Sequence, residues 1–154
     1  MRDYLIRLAI KYGGSHSRIR KALNARETSE DDIPLQKAVT ILDEDYPQSL
    51  LTLKKPPYVL FYEGNKELLQ RRIVAVVGSR CSTMYGENCT RAIVQTLNRE
   101  FVIVSGMARG IDAVAHLSAE HTIGVLGNGL DITYPAANGK LYERMKDSQL
   151  LISE

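Results

Sequence analysis

The sequence predicts an α/β fold: a Rossmann-like, doubly wound, mainly parallel sheet with a small helical appendage at its N-terminus. Three observations predict it. From Arg72 onward, short continuous apolar and β-branched runs alternate with segments of helical periodicity, the signature of βαβ units whose strands are buried on both faces. Three of those runs end in glycine-bearing turns, as expected where a parallel strand hands over to a helix. The chain has 154 residues, 44% of them hydrophobic and 25% charged, enough for one ordinary domain with a real core, or one domain with a small appendage.

The elements follow in chain order. Residues 1–45 read as a small helical (SAM-like) region. YLIRLAI places apolar residues at helical spacing, Gly13-Gly14 breaks the pattern, and SRIRKALN makes a second helix capped by Ser15 or Ser17. Charge is segregated here: residues 1–26 carry seven basic residues against Asp3, and residues 27–45 carry seven acids against Lys37. The preferred reading is two solvated faces of opposite sign that partly neutralise each other. A basic patch for nucleic acid comes second.

Residues 46–154 read as the extended Rossmann-like domain. YVLFYEG follows the Pro56-Pro57 breaker and is expected as an edge strand. IVAVVGS, FVIVSG, TIGVLGNG and QLLISE are the parallel strands. Residues 84–99, GIDAVAHLSAE and AANGKLYERMKD are the helices, joined by right-handed crossovers. Only Glu120 and His121 link the second of these helices to its strand, where about 2–6 residues are usual. The sequence ends at Glu154, at the carboxyl end of a strand. Either the domain is abbreviated or residues are absent, and absent residues are the preferred expectation. No apolar run approaches the roughly 20 residues of a bilayer span, no secretory leader is apparent, and Cys81 and Cys89 match no zinc or redox motif. A reduced, cytoplasmic protein is expected.

Ligands of open parallel sheets sit beyond the carboxyl ends of the strands. Those ends read GSR (Gly78, Ser79, Arg80), SGMARG (Ser105, Gly106, Met107, Ala108, Arg109, Gly110) and GNG (Gly127, Asn128, Gly129). Glycines let backbone approach a ligand, and the following helix N-termini offer free N–H groups to an anion. Ser79, Ser105 and Asn128 can add neutral hydrogen bonds, and Arg80 and Arg109 supply charge suited to phosphate. One such loop would be explained by a tight turn alone; three at adjacent strand ends favour a phosphate cradle. Neither G-x-G-x-x-G with its downstream acid nor G-x-x-x-x-G-K-[ST] is present, which disfavours dinucleotide redox chemistry and P-loop hydrolysis. Asp112 and His116, four apart on one helix face, suit an acid–base or metal pair, although local helix and packing roles are preferred. Cys81 lacks a histidine to activate it and reads as a packing residue. No catalytic set, metal site or cofactor is implied.

VAVVGSR, VIVSGMARGIDAVAH, TIGVLGNGLDITYPAANGKLYERM and LLISE, in this order, resemble the DNA-processing protein A (DprA/Smf) family over about residues 45–154. YPQSLLTLKKPPYVLFYEGN is similar to the family's lead-in to its first core strand. The resemblance implies a non-enzymatic, homodimeric domain that binds single-stranded DNA and helps load a RecA-type recombinase during natural transformation. It places the DNA phosphates at Ser79 and Arg80, at Ser105, Gly106, Arg109 and Gly110, and at Asn128 and Gly129. It departs from the family in the short link after Glu120 and in ending at SE, where members continue through a basic segment. Phe101 lies in a strand and Tyr85 on a helix, leaving Tyr134 as either a base-stacking or a structural aromatic. Two other functions stay open: a nucleotide phosphoribohydrolase acting on a mononucleotide, although its P-G-G-x-G-T-x-x-E loop is lacking, and a protein-interaction module built on the charged N-terminal helices.

Overall fold

The computed structural model describes residues 1–28 and 36–154. They form two compact units, Met1–Tyr62 with Glu154, and Glu63–Ser153. The first unit therefore takes in residues 46–62 as well as the helical segment.

In the first unit, α1 (Arg2–Tyr12) buries Leu5, Ile6, Leu8 and Ala9, and α2 (His16–Asn24) buries Ile19 and Ala22. Between them Gly13 takes a left-handed φ of 55°, and the Gly14 N–H closes the last turn on the Ala9 carbonyl at 3.0 Å. Ser15 occupies the N-cap of α2, but its hydroxyl makes no capping bond. The run YVLFYEG supplies β2 (Val59–Gly64), which pairs antiparallel with β1 (Ala38–Thr40), Ala38 opposite Phe61 and Thr40 opposite Val59. A three-residue strand carries too little periodicity to be read from sequence. Tyr46 is buried and donates to the Pro57 carbonyl at 2.7 Å; burial pushes its phenol up to about 12.

The segregated charges of this unit meet one another. Arg2 Nε pairs with Asp43 at 3.0 Å, and the same guanidinium donates to the Ala38 carbonyl at 2.7 Å. Burial opposes ionisation of Asp43, but the Thr40 N–H and Arg2 together hold its carboxyl below the usual value. Lys11 pairs with Glu27 at 2.7 Å and, with the Tyr12 hydroxyl, holds that carboxyl low. Glu30, Asp31 and Asp32, three of the acids in the sequence pattern, lie outside the described residues.

The second unit holds the alternating part of the chain: β3 (Ile73–Ala75), α3 (Met84–Leu97), β4 (Val102–Ser105), α4 (Ile111–Ser118), β5 (Thr122–Val125), α5 (Gly139–Ser148) and β6 (Leu150–Ser153). All four strands are parallel and lie side by side in chain order, with Ile73 opposite Val102, Ile103 opposite Thr122 and Ile123 opposite Leu150. The fold is thus the α/β, mainly parallel arrangement expected, with the two N-terminal helices present. Val94, Ile103, Ala115 and Ala119 form one core cluster; Met107, Leu126, Leu141, Tyr142, Met145 and Leu151 form another. Strands β4 and β6 are buried as their apolar runs require. Strand β3 stands at the end of the sheet order, and Ile73 and the following Val77 remain exposed. The expected third helix begins as a short 3-10 turn, Ala136–Asn138, before α5.

Three residues, Ala119–His121, bridge α4 to β5, and side chains from elsewhere satisfy their backbone. The Asn98 amide donates to the Ser118 carbonyl at 3.0 Å and accepts from the Glu120 N–H at 3.1 Å. Arg144 donates to the Ala119 carbonyl at 2.9 Å, and Gln149 to that of Glu120 at 3.2 Å. The Ile103 N–H donates to the His121 carbonyl at 3.0 Å, which joins the link to β4.

Candidate functional site

A cleft of about 570 Å³ opens at the carboxyl ends of the strands in the second unit. Its position follows from how two of the glycine loops meet. The Ile111 N–H donates to the Ser79 carbonyl at 3.1 Å, so the start of α4 is bonded to the loop after β3. Gly110, at φ 75°, makes that approach possible, because a Cβ there would run into the Ser79 carbonyl oxygen. A Cβ on Gly78 would come within 2.8 Å of the Ile111 side chain. These glycines press loop on loop, and the result brings Arg80 and Arg109 to one cleft.

Of the residues marked by sequence, Arg80, Gly106, Met107, Ala108, Arg109, Gly127 and Asn128 line this cleft, whereas Gly78, Ser79, Ser105, Gly110 and Gly129 do not. The neutral side chains are occupied internally. Ser79 Oγ donates to the Cys81 carbonyl at 3.0 Å and accepts from its N–H at 3.1 Å. Ser105 is buried and donates to the Val76 carbonyl at 2.6 Å, joining the ends of β3 and β4. The Asn128 amide donates to the carbonyls of Ile132 at 2.7 Å and Gly129 at 3.1 Å, folding its loop on itself. These groups hold the walls. The arginines differ: both are exposed, and among the described residues neither guanidinium has a hydrogen-bond or ion-pair partner.

Sequence reasoning placed Asp112 and His116 on one helix face but not their surroundings. His116 is fully buried, with Nε2 at 2.6 Å from the Gly106 carbonyl and Nδ1 at 2.6 Å from the Thr122 hydroxyl. A carbonyl can only accept, so Nε2 carries the proton; the Thr122 hydroxyl, which packs against Nδ1, also lies 2.9 Å from the Ile103 carbonyl. Burial holds the imidazole pKa low, outweighing the hydrogen bond to Gly106 and the charge of Asp112. Both nitrogens are spent in the core, which is the packing role preferred from sequence. Asp112 lines the cleft, and so does Cys81.

Tyr134, Pro135 and Tyr142 complete the wall contributed by the segment after β5. Tyr142 lies on α5 with its hydroxyl 2.9 Å from the Tyr134 carbonyl, to which it donates. Nothing local to Tyr142 in the sequence marks it as a cleft residue. Among the described residues, no helix is long and apolar enough to cross a membrane.

Fold and cleft together define an α/β domain of Rossmann type with a cationic site at its strand ends. Residues 37–154 match the family described as DNA recombination-mediator protein A, and the chain belongs to that family. It is 42% identical over 134 residues to the DNA processing protein DprA of Streptococcus pneumoniae, covering 80% of this chain and 48% of the relative. The protein Smf of Escherichia coli K12 is 44% identical over 103 residues, covering 64% of this chain and 28% of the relative. The X-ray structure of the Streptococcus pneumoniae DprA superposes with a TM-score of 0.73 at 38% identity, over 89% of this chain and 49% of that one. A Helicobacter pylori DNA processing protein A, described as having a unique single-stranded DNA binding mode, gives 0.69 at 31% identity, over 77% of this chain and 55% of that one. The chain spans about half the length, or less, of the curated relatives it matches.

Proposed function

We propose that this chain binds single-stranded DNA in the cleft, with Arg80 and Arg109 on backbone phosphates, and that it acts by binding rather than by turnover. In this reading it protects incoming DNA and helps load a RecA-type recombinase during natural transformation, working in the cytoplasm as a homodimer. The observation that carries the proposal is the pair of arginines left without internal partners on a cleft at the strand ends. A guanidinium remains charged at any physiological pH and presents a fork of donors to phosphate oxygens. Contacts of this kind hold a strand without reading its sequence. The family match and the single-strand binding described for the Helicobacter pylori relative support the reading.

Fluorescence anisotropy of a labelled single-stranded oligonucleotide, with duplex DNA and a mononucleotide as competitors, tests it. Salt-sensitive binding that the mononucleotide displaces poorly is the expected result. One observation favours the second reading, an enzyme acting on a mononucleotide: the cleft contains a carboxylate, Asp112. Release of free base from nucleoside monophosphates, abolished by Asp112→Asn, would establish that reading instead.

A further inference from the structure

The opposed charges of the first unit neutralise each other only in part. Arg2, Arg7 and Lys11, all on α1, have partners. The four cations that follow, Arg18, Arg20 and Lys21 on α2 and Arg26 just beyond it, are exposed. Among the described residues, none of the four has a hydrogen-bond or ion-pair partner. Residues 15–26 contain no acid, and Glu27, the first one after them, is already held by Lys11 and the Tyr12 hydroxyl at 2.7 Å each. The cations share one surface. Ile19 and Ala22 turn one side of α2 into the core. At about 100° per residue, the opposite side carries Ser17, Lys21 and Asn24, flanked by Arg18 and Arg20.

Stability of the fold does not account for this surface. Arg18 stands in the first turn of α2, where the helix dipole favours an acid, and no acid is there. Arg18 and Lys21, three apart on the helix, repel each other. Arg26 follows the C-cap Ala25 at a φ of 50°, the left-handed position that glycine usually fills. Its N–H closes on the Leu23 carbonyl at 3.2 Å and that of Glu27 on the Ala22 carbonyl at 3.1 Å, which fixes Arg26 in that conformation. A strained arginine at the end of an unpaired cationic face points to a ligand for the charge.

We propose that this face of α2 is a second nucleic-acid surface, one that holds the phosphate backbone of duplex DNA without reading its sequence. It goes beyond the cleft and does not depend on it. The exposed side chains here are cations and small polar groups, the kinds that hold phosphates. Aromatic rings are not free to join them: His16 and Tyr58 stack on each other at 4.7 Å. A single strand is gripped in large part by stacking on such rings, whereas a duplex carries one charge per about 1.7 Å and rewards cations alone. A lipid surface would need an exposed apolar face, and Ile19 and Ala22 are buried.

The test is anisotropy of a labelled duplex of arbitrary sequence with the full chain, at several salt concentrations, for the unaltered protein and the Arg18→Ala, Arg20→Ala, Lys21→Ala triple variant. Each duplex phosphate contact contributes about 0.9 to the slope of log affinity against log salt, so the triple variant should lose about 2.7 of that slope. Its affinity for a single strand should stay as it was. Alanine suits a helix, and thermal melting reports the fold. Lysine in place of both arginines keeps the charge and should keep the slope, whereas Arg26→Gly suits the left-handed backbone and should lower it by about 0.9. An unchanged slope in a folded triple variant, or no duplex binding by the unaltered protein, overturns the proposal. So does poly-glutamate that displaces the duplex as readily as unlabelled duplex does, which would make the face a site for acidic protein. Equal loss of duplex and single-strand binding in the triple variant overturns the separate surface and puts both on one interface. Absence of single-strand binding by the unaltered protein overturns the cleft reading alone and leaves the duplex surface standing.

Discussion

The two units differ in which side chains tie their segments together. In the first, Arg2 and Lys11 pair with Asp43 and Glu27. In the second, neutral groups and backbone do the holding, with Ser79, Ser105 and Asn128 tying the loops together. That leaves Arg80 and Arg109 without internal partners at a cleft. The N-terminal segment holds more positive charge, part of it paired within the unit, whereas Arg80 and Arg109 line one cleft. A count of basic residues measures composition; availability depends on what each side chain already touches.

The sharpest way to break the second half of this contrast is to push the loops apart. Gly110→Ala puts a side chain at φ 75°, ψ −129° and against the Ser79 carbonyl. It should destabilise the fold by about 3 kcal/mol and sharply reduce DNA binding, read by thermal melting and anisotropy. Ser105→Ala is milder. It removes the bond to the Val76 carbonyl and should cost about 1–3 kcal/mol, with DNA affinity preserved wherever the protein remains folded. A large affinity loss in a folded Ser105→Ala protein would make the hydroxyl a DNA contact after all.

The core beneath the loops predicts a pH dependence. Burial holds the folded-state pKa of His116 below its ordinary 6.5, so the unfolded chain takes up the proton more readily. Its contribution to stability is complete above about 6.5 and is lost as pH falls below that towards the lower folded-state pKa. Melting temperature should drop as pH falls below about 6.5, and His116→Gln should flatten that part of the curve. The smallest effect belongs to the first unit. Arg2→Ala breaks a largely exposed ion pair and should cost roughly 0–1 kcal/mol, leaving the salt dependence of DNA binding unchanged. A reduced slope would give the N-terminal segment a share of the interface.

Alternation of strand and helix was legible in the sequence because periodicity is local, and the strand ends pointed to the cleft for the same reason. The occupation of its side chains was not. Ser105 bonds a carbonyl 29 residues away, on the neighbouring strand, and Asn138 bonds the loop some 30 residues back. No window of sequence shows that these groups are already spent. Tyr142 reads as one more apolar position of an amphipathic helix, and only the fold turns its hydroxyl onto the Tyr134 backbone. The glycines illustrate the same limit. GSR and ARG are expected to bare their backbone to a ligand, whereas Gly78 and Gly110 bring the loops onto each other.

The most direct measurement is the salt dependence of single-strand binding for the unaltered protein and for the Arg80→Ala, Arg109→Ala double variant. Each phosphate contact on a single strand contributes about 0.7 to the slope of log affinity against log salt. Removing both arginines should therefore lower that slope by about 1.4 and weaken binding to all sequences alike. An unchanged slope in a folded double variant would mean that the DNA backbone is held elsewhere on the chain.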